Sequence, residues 1–273
     1  MKIRIASDLH LEGFRGMHMD RVELNFLPRD ARDCESVLAL TGDISSDKDQ
    51  LYAFLEYVTP RFKRVFFVPG NHEYYRHDYV EWNAEMQDML GGIDGLSFVT
   101  GGVNSTVYND TKFIMSTLWA DGGILPSDHL NVESGLADFM LIKLDKHRFK
   151  VQDMINIYKQ NRQGIEDELK ASDGMPTVLL THHLPTRKCV HSSYLSPTSD
   201  GINGGFVGNC EYLMATYRPK LWIHGHTHKH VDIMFFDTNV LANPCGYRKE
   251  YSDPDNVFFD KQTFCPRPFY AHI

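Results

Sequence analysis

Short apolar runs in this chain each end at a polar stretch that contains Asp, Asn or His. Residues 3–6, 37–40, 65–68, 176–180 and 221–223 have the length of buried strands, and a turn-forming or polar residue follows each one. Ligands of open α/β sheets collect beyond the carboxyl ends of the strands, so we expect the polar stretches to converge. They are Ser7-Asp8-Leu9-His10, Thr41-Gly42-Asp43, Gly70-Asn71-His72-Glu73, Thr181-His182-His183 and Gly225-His226-Thr227-His228.

Segments with helical periodicity follow two of these strands. Residues 47–59 and 78–90 place apolar side chains at helical spacing, and Asp47 or Asp49 is available as an N-cap. Residues 151–170 also have a helical pattern. This alternation of strands and helices predicts an α/β fold.

The middle of the chain changes period. Residues 97–99, 103–108 and 112–115 are short alternating segments broken by Gly101-Gly102 and Asn109-Asp110. This pattern predicts antiparallel hairpin strands. Two further β runs follow the last polar stretch, at 231–236 and 240–242.

Two segments are long for simple connections. Residues 119–150 show no clear period, and residues 184–208 are rich in Pro, Ser, Thr and Gly. We expect a single domain over residues 1–273, with these segments as excursions that cover the site or bind substrate.

Composition narrows the class of protein. A hydrophobic fraction of 42% in 273 residues is enough to bury a large core. The formal net charge of −8 makes an extended nucleic acid an unfavourable partner, although bound cations would still attract a small anion. Five scattered cysteines without CxxC spacing predict reduced thiols, which is typical of a cytoplasmic protein.

The sequence shows no membrane segment. Residues 1–7 interleave charged and apolar residues, which predicts a first strand rather than a secretory signal. No uninterrupted apolar run approaches the ~18 residues of a membrane span. We therefore expect a cytoplasmic protein with no membrane partner, and the sequence indicates no oligomeric state.

The polar stretches carry donors that suit divalent cations. Oxygen and imidazole ligands bind Mn, Fe, Zn or Ni. Asp8 and His10 are two residues apart, so on extended backbone both side chains leave the same side and chelate one ion. The same geometry applies to His226 and His228, with Gly225 allowing a backbone turn.

The Gly-Asp and Gly-Asn-His stretches supply other roles. Asp43 is the natural bridge, because one carboxylate offers an oxygen to each of two ions. Asn71 offers a carbonyl oxygen, while His72 is free to act as a general acid. Glu73 is a candidate to orient His72.

The ordered set resembles the calcineurin-like metallophosphoesterase superfamily. The resemblance covers residues 8–228 and is carried by Asp8-x-His10, Gly42-Asp43, Gly70-Asn71-His72-Glu73, His182 and Gly225-His226-x-His228. A single Asp-x-His block is common by chance, whereas five blocks in this order are specific. The opening Ser-Asp-Leu-His-Leu-Glu is most similar to small bacterial or phage members.

The resemblance implies a four-layer αββα sandwich of two mixed β-sheets flanked by helices. It implies two divalent metal ions, with Asp43 shared between them. The metal ligands would be Asp8, His10, Asp43 and His228 for one ion, and Asp43, Asn71, His182 and His226 for the other. It further implies in-line attack on phosphorus by a metal-bound hydroxide, with His72 and Asp43 as catalytic residues.

Several alternatives remain open at this stage. His224, His226, His228 and His230 fall on alternate residues, which would also suit a mononuclear zinc site. A metal-binding scaffold without turnover is the alternative to a hydrolase. The substrate is expected to be a small phosphoester or a nucleotide, and the sequence does not choose between phosphodiesterase and phosphatase activity.

Overall fold

The structure is a computed structural model that describes residues 1–14, 16–123, 125–195, 200–247, 259–260, 265–266 and 268–273. The described helices are α1 (Met19–Phe26), α2 (Lys48–Val58), α3 (Tyr79–Leu90), α4 (Pro126–Gly135), α5 (Asp138–Leu141), α6 (Val151–Lys170) and α7 (Glu211–Tyr217). The described strands are β1 (Lys2–Ala6), β2 (Val37–Thr41), β3 (Arg64–Val68), β4 (Leu96–Phe98), β5 (Asn104–Tyr108), β6 (Thr111–Ser116), β7 (Lys143–Leu144), β8 (His147–Arg148), β9 (Thr177–Thr181), β10 (Leu221–Ile223), β11 (Val231–Phe235), β12 (Thr238–Ala242), β13 (Phe259–Asp260), β14 (Cys265–Pro266) and β15 (Phe269–His272).

Two mixed sheets organise the chain. The first has the order β15-β1-β2-β3-β4, in which β15 is antiparallel to β1 and the other neighbours are parallel. The second has the order β11-β12-β10-β9-β6-β5, with parallel central strands and an antiparallel strand at each edge. The parallel strands of each sheet therefore end at a common edge.

Strand alternation builds the interior between the sheets. Ile5, Ala39 and Phe66 of the first sheet lie in one buried cluster with Phe113 and Leu180 of the second. The rings of Phe66 and Phe113 stack with centroids 4.0 Å apart. The intervening strand residues face the opposite way, as the period of two requires.

The outer faces of the sheets are covered by helices. Leu38 and Leu40 of β2 belong to a second buried cluster that includes Leu51 and Phe54 of α2 and Met154 of α6. Two sheets flanked by helices confirm the predicted four-layer αββα sandwich.

Helix positions follow the predicted periodicity. Helix α6 spans the residues 151–170 that the sequence indicates. Helix α2 has Asp47 as its N-cap, where the side chain accepts a hydrogen bond from the Gln50 N–H. Helix α3 starts in the same way after Asp78, whose side chain accepts from the Val80 N–H.

The prediction of hairpin strands was wrong for residues 97–99. Strand β4 pairs in parallel with β3 at the edge of the first sheet, whereas the hairpin consists of β5 and β6 in the second. A short alternating segment shows that a strand exists but carries no information about its partner.

The two long segments have structure of their own. Residues 119–150 contain α4, α5 and the small hairpin of β7 and β8. Residues 184–208 contain short 3-10 turns at Arg187–Cys189, Ser192–Tyr194 and Asp200–Gly205, and residues 196–199 lie outside the described residues. Within the described part of the chain, no helix is both long and apolar enough to cross a bilayer.

A buried ion-pair network joins β1 to the turn before β2. Arg4 is 1% exposed and donates to both carboxylate oxygens of Asp33, at 2.7 and 2.8 Å. Arg61 donates to Asp33 at 2.6 Å, and the Tyr270 hydroxyl of β15 donates at 2.7 Å. Burial raises the pKa of Asp33, but the two guanidinium groups outweigh it and hold the pKa below the usual value.

Asp33→Ala is expected to lower the free energy of unfolding by about 3–5 kcal/mol, because it leaves buried arginine charges without a counter-ion. Urea denaturation at neutral pH measures this loss. Because the folded pKa is lowered, the stabilisation is present above the ordinary Asp pKa of about 4 and disappears as the pH falls through the folded value. Glu35→Ala, which removes the exposed pair with Lys2, is the control and should cost at most about 1 kcal/mol. Equal losses in the two variants would contradict the role of the network.

Candidate metal centre

The polar stretches converge at the carboxyl ends of the parallel strands. Asp8 and His10 follow β1, Asp43 follows β2, and Asn71 follows β3. The second sheet contributes His182 after β9 and the pair His226 and His228 after β10. The predicted residues thus come from both sheets and meet at one edge of the sandwich.

The local backbone differs from the extended geometry that the sequence suggested. Asp8 and His10 have φ of 56° and 48°, and His226 and His228 have φ of 68° and 49°. Asp43 is also left-handed, with φ of 55°. The extended-strand argument for these pairs was therefore wrong. The side chains meet because the chain leaves each strand in strained turns, which cluster at functional sites.

One group of donors surrounds a point between the two sheets. Ligand atoms of Asp8, His10, Asp43 and His228 all lie within 4.8 Å of one another. His10 Nε2 and His228 Nε2 are 3.1 Å apart, and His228 Nε2 is 3.4 Å from Asp8 Oδ1.

A second group shares Asp43 with the first. Ligand atoms of Asp43, His182 and His226 lie within 4.8 Å of one another. His182 Nε2 is 3.0 Å from His226 Nδ1 and 3.5 Å from Asp43 Oδ1. The side-chain oxygen of Asn71 is 3.0 Å from the same nitrogen of His182.

Hydrogen-bond partners indicate that acceptors face each other in this second group. The Nδ1–H of His182 donates to the Thr41 carbonyl at 2.9 Å. Burial lowers the pKa of His182 to about 4, so its Nε2 carries a lone pair at neutral pH. Asn71 presents its oxygen to that lone pair because its nitrogen donates to Tyr75. Two acceptors at 3.0 Å repel unless a cation lies between them.

The donor spacing fits a metal ion. Ligands about 2.1 Å from an ion and at right angles to one another lie about 3 Å apart. The nitrogen pairs of both groups match this distance. The residues present are thus suited to divalent cations.

The electrostatics of the site also favour bound cations. Burial raises the pKa of Asp43 well above its usual value, and the nearby Glu73 and Asp8 carboxylates add to this effect. Burial also raises the pKa of Asp8, but contacts with His228 and other histidines outweigh burial and hold it well below the usual range. Burial lowers the pKa of His10 to about 4, which leaves a neutral imidazole. Buried carboxylates beside neutral imidazoles call for cations.

Two glycines of the motifs are required by close approach. A methyl group at Gly70 would overlap the Asp43 side chain. A methyl group at Gly225 would overlap the Thr41 carbonyl and lie 3.0 Å from Asp8 Oδ2. Gly225 has no positive φ, so its role is this close approach rather than the turn that the sequence suggested.

Glu73 does not orient His72, contrary to the sequence-based hypothesis. Its carboxylate is fully buried and accepts four backbone N–H groups. The donors are Asp43 at 2.9 Å, Ile44 at 2.6 Å, Ser45 at 3.1 Å and Gly70 at 2.6 Å. Burial raises the pKa of Glu73 to about 7, against the opposing effect of these N–H donors. Glu73 therefore fixes the two turns that carry Asp43 and Asn71.

His72 is held instead by Glu12 and Tyr247. Its Nδ1 lies 3.2 Å from Glu12 Oε1, and its Nε2 lies 3.0 Å from the Tyr247 hydroxyl. Burial lowers the pKa of His72, but Asp43 and Glu12 outweigh it and raise the pKa overall. The same Glu12 oxygen is 3.3 Å from His10 Nδ1. Glu12 is thus shared by two predicted site residues.

The remaining histidines of the motifs lie outside the two groups. His183 is buried and packs between the Trp119 and His226 rings. His224 Nδ1 bonds the Gly225 carbonyl, and His230 contacts the Phe269 ring. Since His226 and His228 fall in different groups, the alternate histidines do not form the single four-histidine cluster of the zinc alternative.

A cavity of about 340 Å³ opens onto the groups. Asp43, Asn71, His72, His226 and His228 line its floor. The two long segments supply its walls, which include Leu136, Asp138, Val190, His191, Asn203 and Phe206.

Sequence reasoning missed four residues of this site. Glu12 lies two residues after His10 in the same motif, so its position was a usable signal. His191 lies outside the five polar stretches but lines the cavity. Asp138 and Tyr247 stand in no motif, and only the folded chain brings them to the site.

Comparisons with known proteins agree with this architecture. The family profile described as "Calcineurin-like phosphoesterase" matches residues 1–230. The chain is 26% identical over 298 residues to "Uncharacterized protein L509" of Acanthamoeba polyphaga mimivirus, covering 94% of this chain and 98% of that protein.

A solved structure shares the fold. The crystal structure of the phosphopantetheinyl hydrolase PptH from Mycobacterium tuberculosis is similar, with a TM-score of 0.71 and 16% identity over 93% of each chain. A dimetal phosphatase from Danio rerio has a TM-score of 0.47 and 16% identity, covering 89% of this chain and 86% of that one.

Glu73→Gln is expected to lower the free energy of unfolding by about 2–6 kcal/mol. The amide nitrogen cannot accept, so two buried N–H groups lose their partner at about 1–3 kcal/mol each. Chemical denaturation measures the change. Glu81→Gln, on the exposed start of α3, is the matched control and should cost at most about 1 kcal/mol. A Glu73→Gln protein as stable as the control would contradict the assigned role.

Proposed function

Because the chain belongs to the calcineurin-like phosphoesterase family, we propose that it is a phosphoric ester hydrolase that works with two divalent metal ions. The observation that supports this most strongly is the convergence of acceptors into two groups that share Asp43. A carboxylate common to two ions screens their mutual repulsion. Residues arranged in this way would hold two ions, which would supply charge stabilisation to a phosphoryl transfer.

The proposed ligand sets follow the two groups. Asp8, His10, Asp43 and His228 hold one ion, and Asp43, Asn71, His182 and His226 hold the other. Nitrogen and oxygen donors of this kind accept Mn, Fe, Zn or Ni, so cellular supply has a part in the choice.

When bound, the ions supply Lewis acidity to the phosphoryl oxygens and lower the pKa of an attacking water. His72 then acts on the leaving oxygen. Glu12 accepts from Nδ1–H, which leaves Nε2 directed at the cavity. The Tyr247 hydroxyl at 3.0 Å from Nε2 marks a place where an oxygen atom is accommodated. The raised pKa of His72 favours its protonated form, which can donate to the leaving oxygen.

The cavity supports a small organic phosphoester or a nucleotide as substrate. Leu136, Val190 and Phe206 offer apolar surface beside the ions, where the esterified group would lie. Asp138 and Asn203 add polar atoms on the walls. A pocket of this size and a net charge of −8 disfavour an extended nucleic acid.

Asp43→Asn is expected to abolish metal-dependent hydrolysis while the protein stays folded. Chelator-treated protein is given Mn, Fe, Ni, Zn or Mg separately and assayed with bis-p-nitrophenyl phosphate and p-nitrophenyl phosphate. Losing the shared ligand should cost more than the about 100-fold seen for groups that only support a ligand. The ratio of the two wild-type rates assigns diesterase or monoesterase activity. A phosphopantetheinyl compound is a further arm, because the mycobacterial hydrolase shares the fold.

Asp167→Asn, an exposed change on α6, is the control and should leave turnover unchanged. Wild-type protein that binds metal but turns over no substrate with any ion would contradict the proposal. That result would favour the alternative, a metal-binding scaffold on the same fold.

His72→Gln is expected to keep both ions and lose rate, most steeply for esters of weakly acidic alcohols. General-acid catalysis is worth about 10²–10⁴-fold, and a good leaving group needs little of it. Rates across a series of aryl esters, together with metal content by mass spectrometry, measure the effect. His147→Gln, on the exposed hairpin, serves as the control. An equal rate loss across the series would refute the role of His72 as acid.

A further inference from the structure

A short hydrogen-bonded chain runs away from the second group of donors. The Asn71 side-chain nitrogen donates to the Tyr75 hydroxyl at 3.2 Å. The Tyr75 hydroxyl donates in turn to Asp138 Oδ2 at 3.3 Å. Asn71 and Asp138 are 3% and 6% exposed, and both line the cavity.

We propose that Tyr75 and Asp138 are positioning residues that fix the Asn71 amide with its oxygen, rather than its nitrogen, directed at the second metal ion. This inference rests on the proposed dinuclear function. It assigns a role to Asp138, a residue of the 119–150 segment that belongs to none of the motifs.

Proton counting carries the argument. A tyrosine hydroxyl has one proton and can donate only once. A tyrosine ordinarily loses its proton only near pH 10, so the Tyr75 oxygen keeps its single proton at neutral pH. Because Asp138 accepts that proton, the Tyr75 oxygen can only accept from Asn71. The nitrogen of Asn71 must therefore face Tyr75.

The opposite orientation would block the ion. With the amide reversed, the Asn71 nitrogen would donate to His182 Nε2, which now lies 3.0 Å from the Asn71 oxygen. Both groups would be satisfied without a cation, and an N–H group cannot bind one. The chain therefore keeps an acceptor pair open for the metal.

Asp138→Asn keeps the shape of the side chain, but it replaces a carboxylate that only accepts hydrogen bonds with an amide that can also donate them. The new amide can donate to Tyr75, which then donates to Asn71 and allows reversal. Tyr75→Phe removes the hydroxyl without changing charge, and adds no group that could donate to Asn71. We expect a smaller effect from Tyr75→Phe, and a double variant no worse than Asp138→Asn alone.

The experiment is a titration of chelator-treated protein with Mn²⁺, followed by calorimetry, with metal content measured after desalting. Wild-type protein should bind two ions. Asp138→Asn should bind one ion as the wild type does and the other about 10–100-fold more weakly. The Co²⁺ absorption spectrum should change for that ion only.

Asp121→Asn is the matched control from the same segment, where Asp121 bonds the Gly123 backbone. It should bind both ions normally. Wild-type affinity for both ions in Asp138→Asn, or equal weakening of both ions, would overturn the proposal. If Asp138→Asn does not fold, unchanged affinity in Tyr75→Phe overturns it and selective weakening supports it. A wild-type protein that takes up no ions refutes the proposed function as well, which separates the two failures.

Discussion

One buried carboxylate ties the candidate centre together. Glu73 accepts N–H groups from the turn after β2 and from the turn after β3. Asp43 and Asn71 are carried by these turns, so their separation depends on one side chain that faces away from the cavity. A site built on rigid strand ends still needs such support, because the last residues of a strand have lost the hydrogen bonds of the sheet.

The sequence predicts the frame of this protein well, because buried strands and amphipathic helices have strong periods. The bounds of α6 and the strands that precede the polar stretches follow from periodicity alone. The pairing partner of β4 could not be predicted from periodicity, since a strand of three residues carries no information about its register or its sheet. The backbone conformation of Asp8 and His10 was also predicted wrongly. A motif specifies which donor residues are present, whereas the fold determines their dihedral angles.

Residues that support the donors were harder to predict than the donors themselves. Glu73 stands beside His72 in the chain, yet its carboxylate turns to the backbone, and Glu12 takes the place beside His72. Asp138 lies 67 positions after Asn71 in the numbering, and α5 brings it to Tyr75, the hydrogen-bond partner of Asn71. Supporting contacts of this kind depend on tertiary packing, which a single sequence does not display.

The centre combines several features that are unfavourable without cations. Left-handed backbone at five donor residues, the high pKa of Asp43 and the facing acceptors of Asn71 and His182 all cost free energy in the metal-free protein. The buried network around Asp33 and the core between the sheets provide stability at a distance from this edge. Acceptors that a rigid frame holds together in this way would need little rearrangement to bind cations, since they are already ordered.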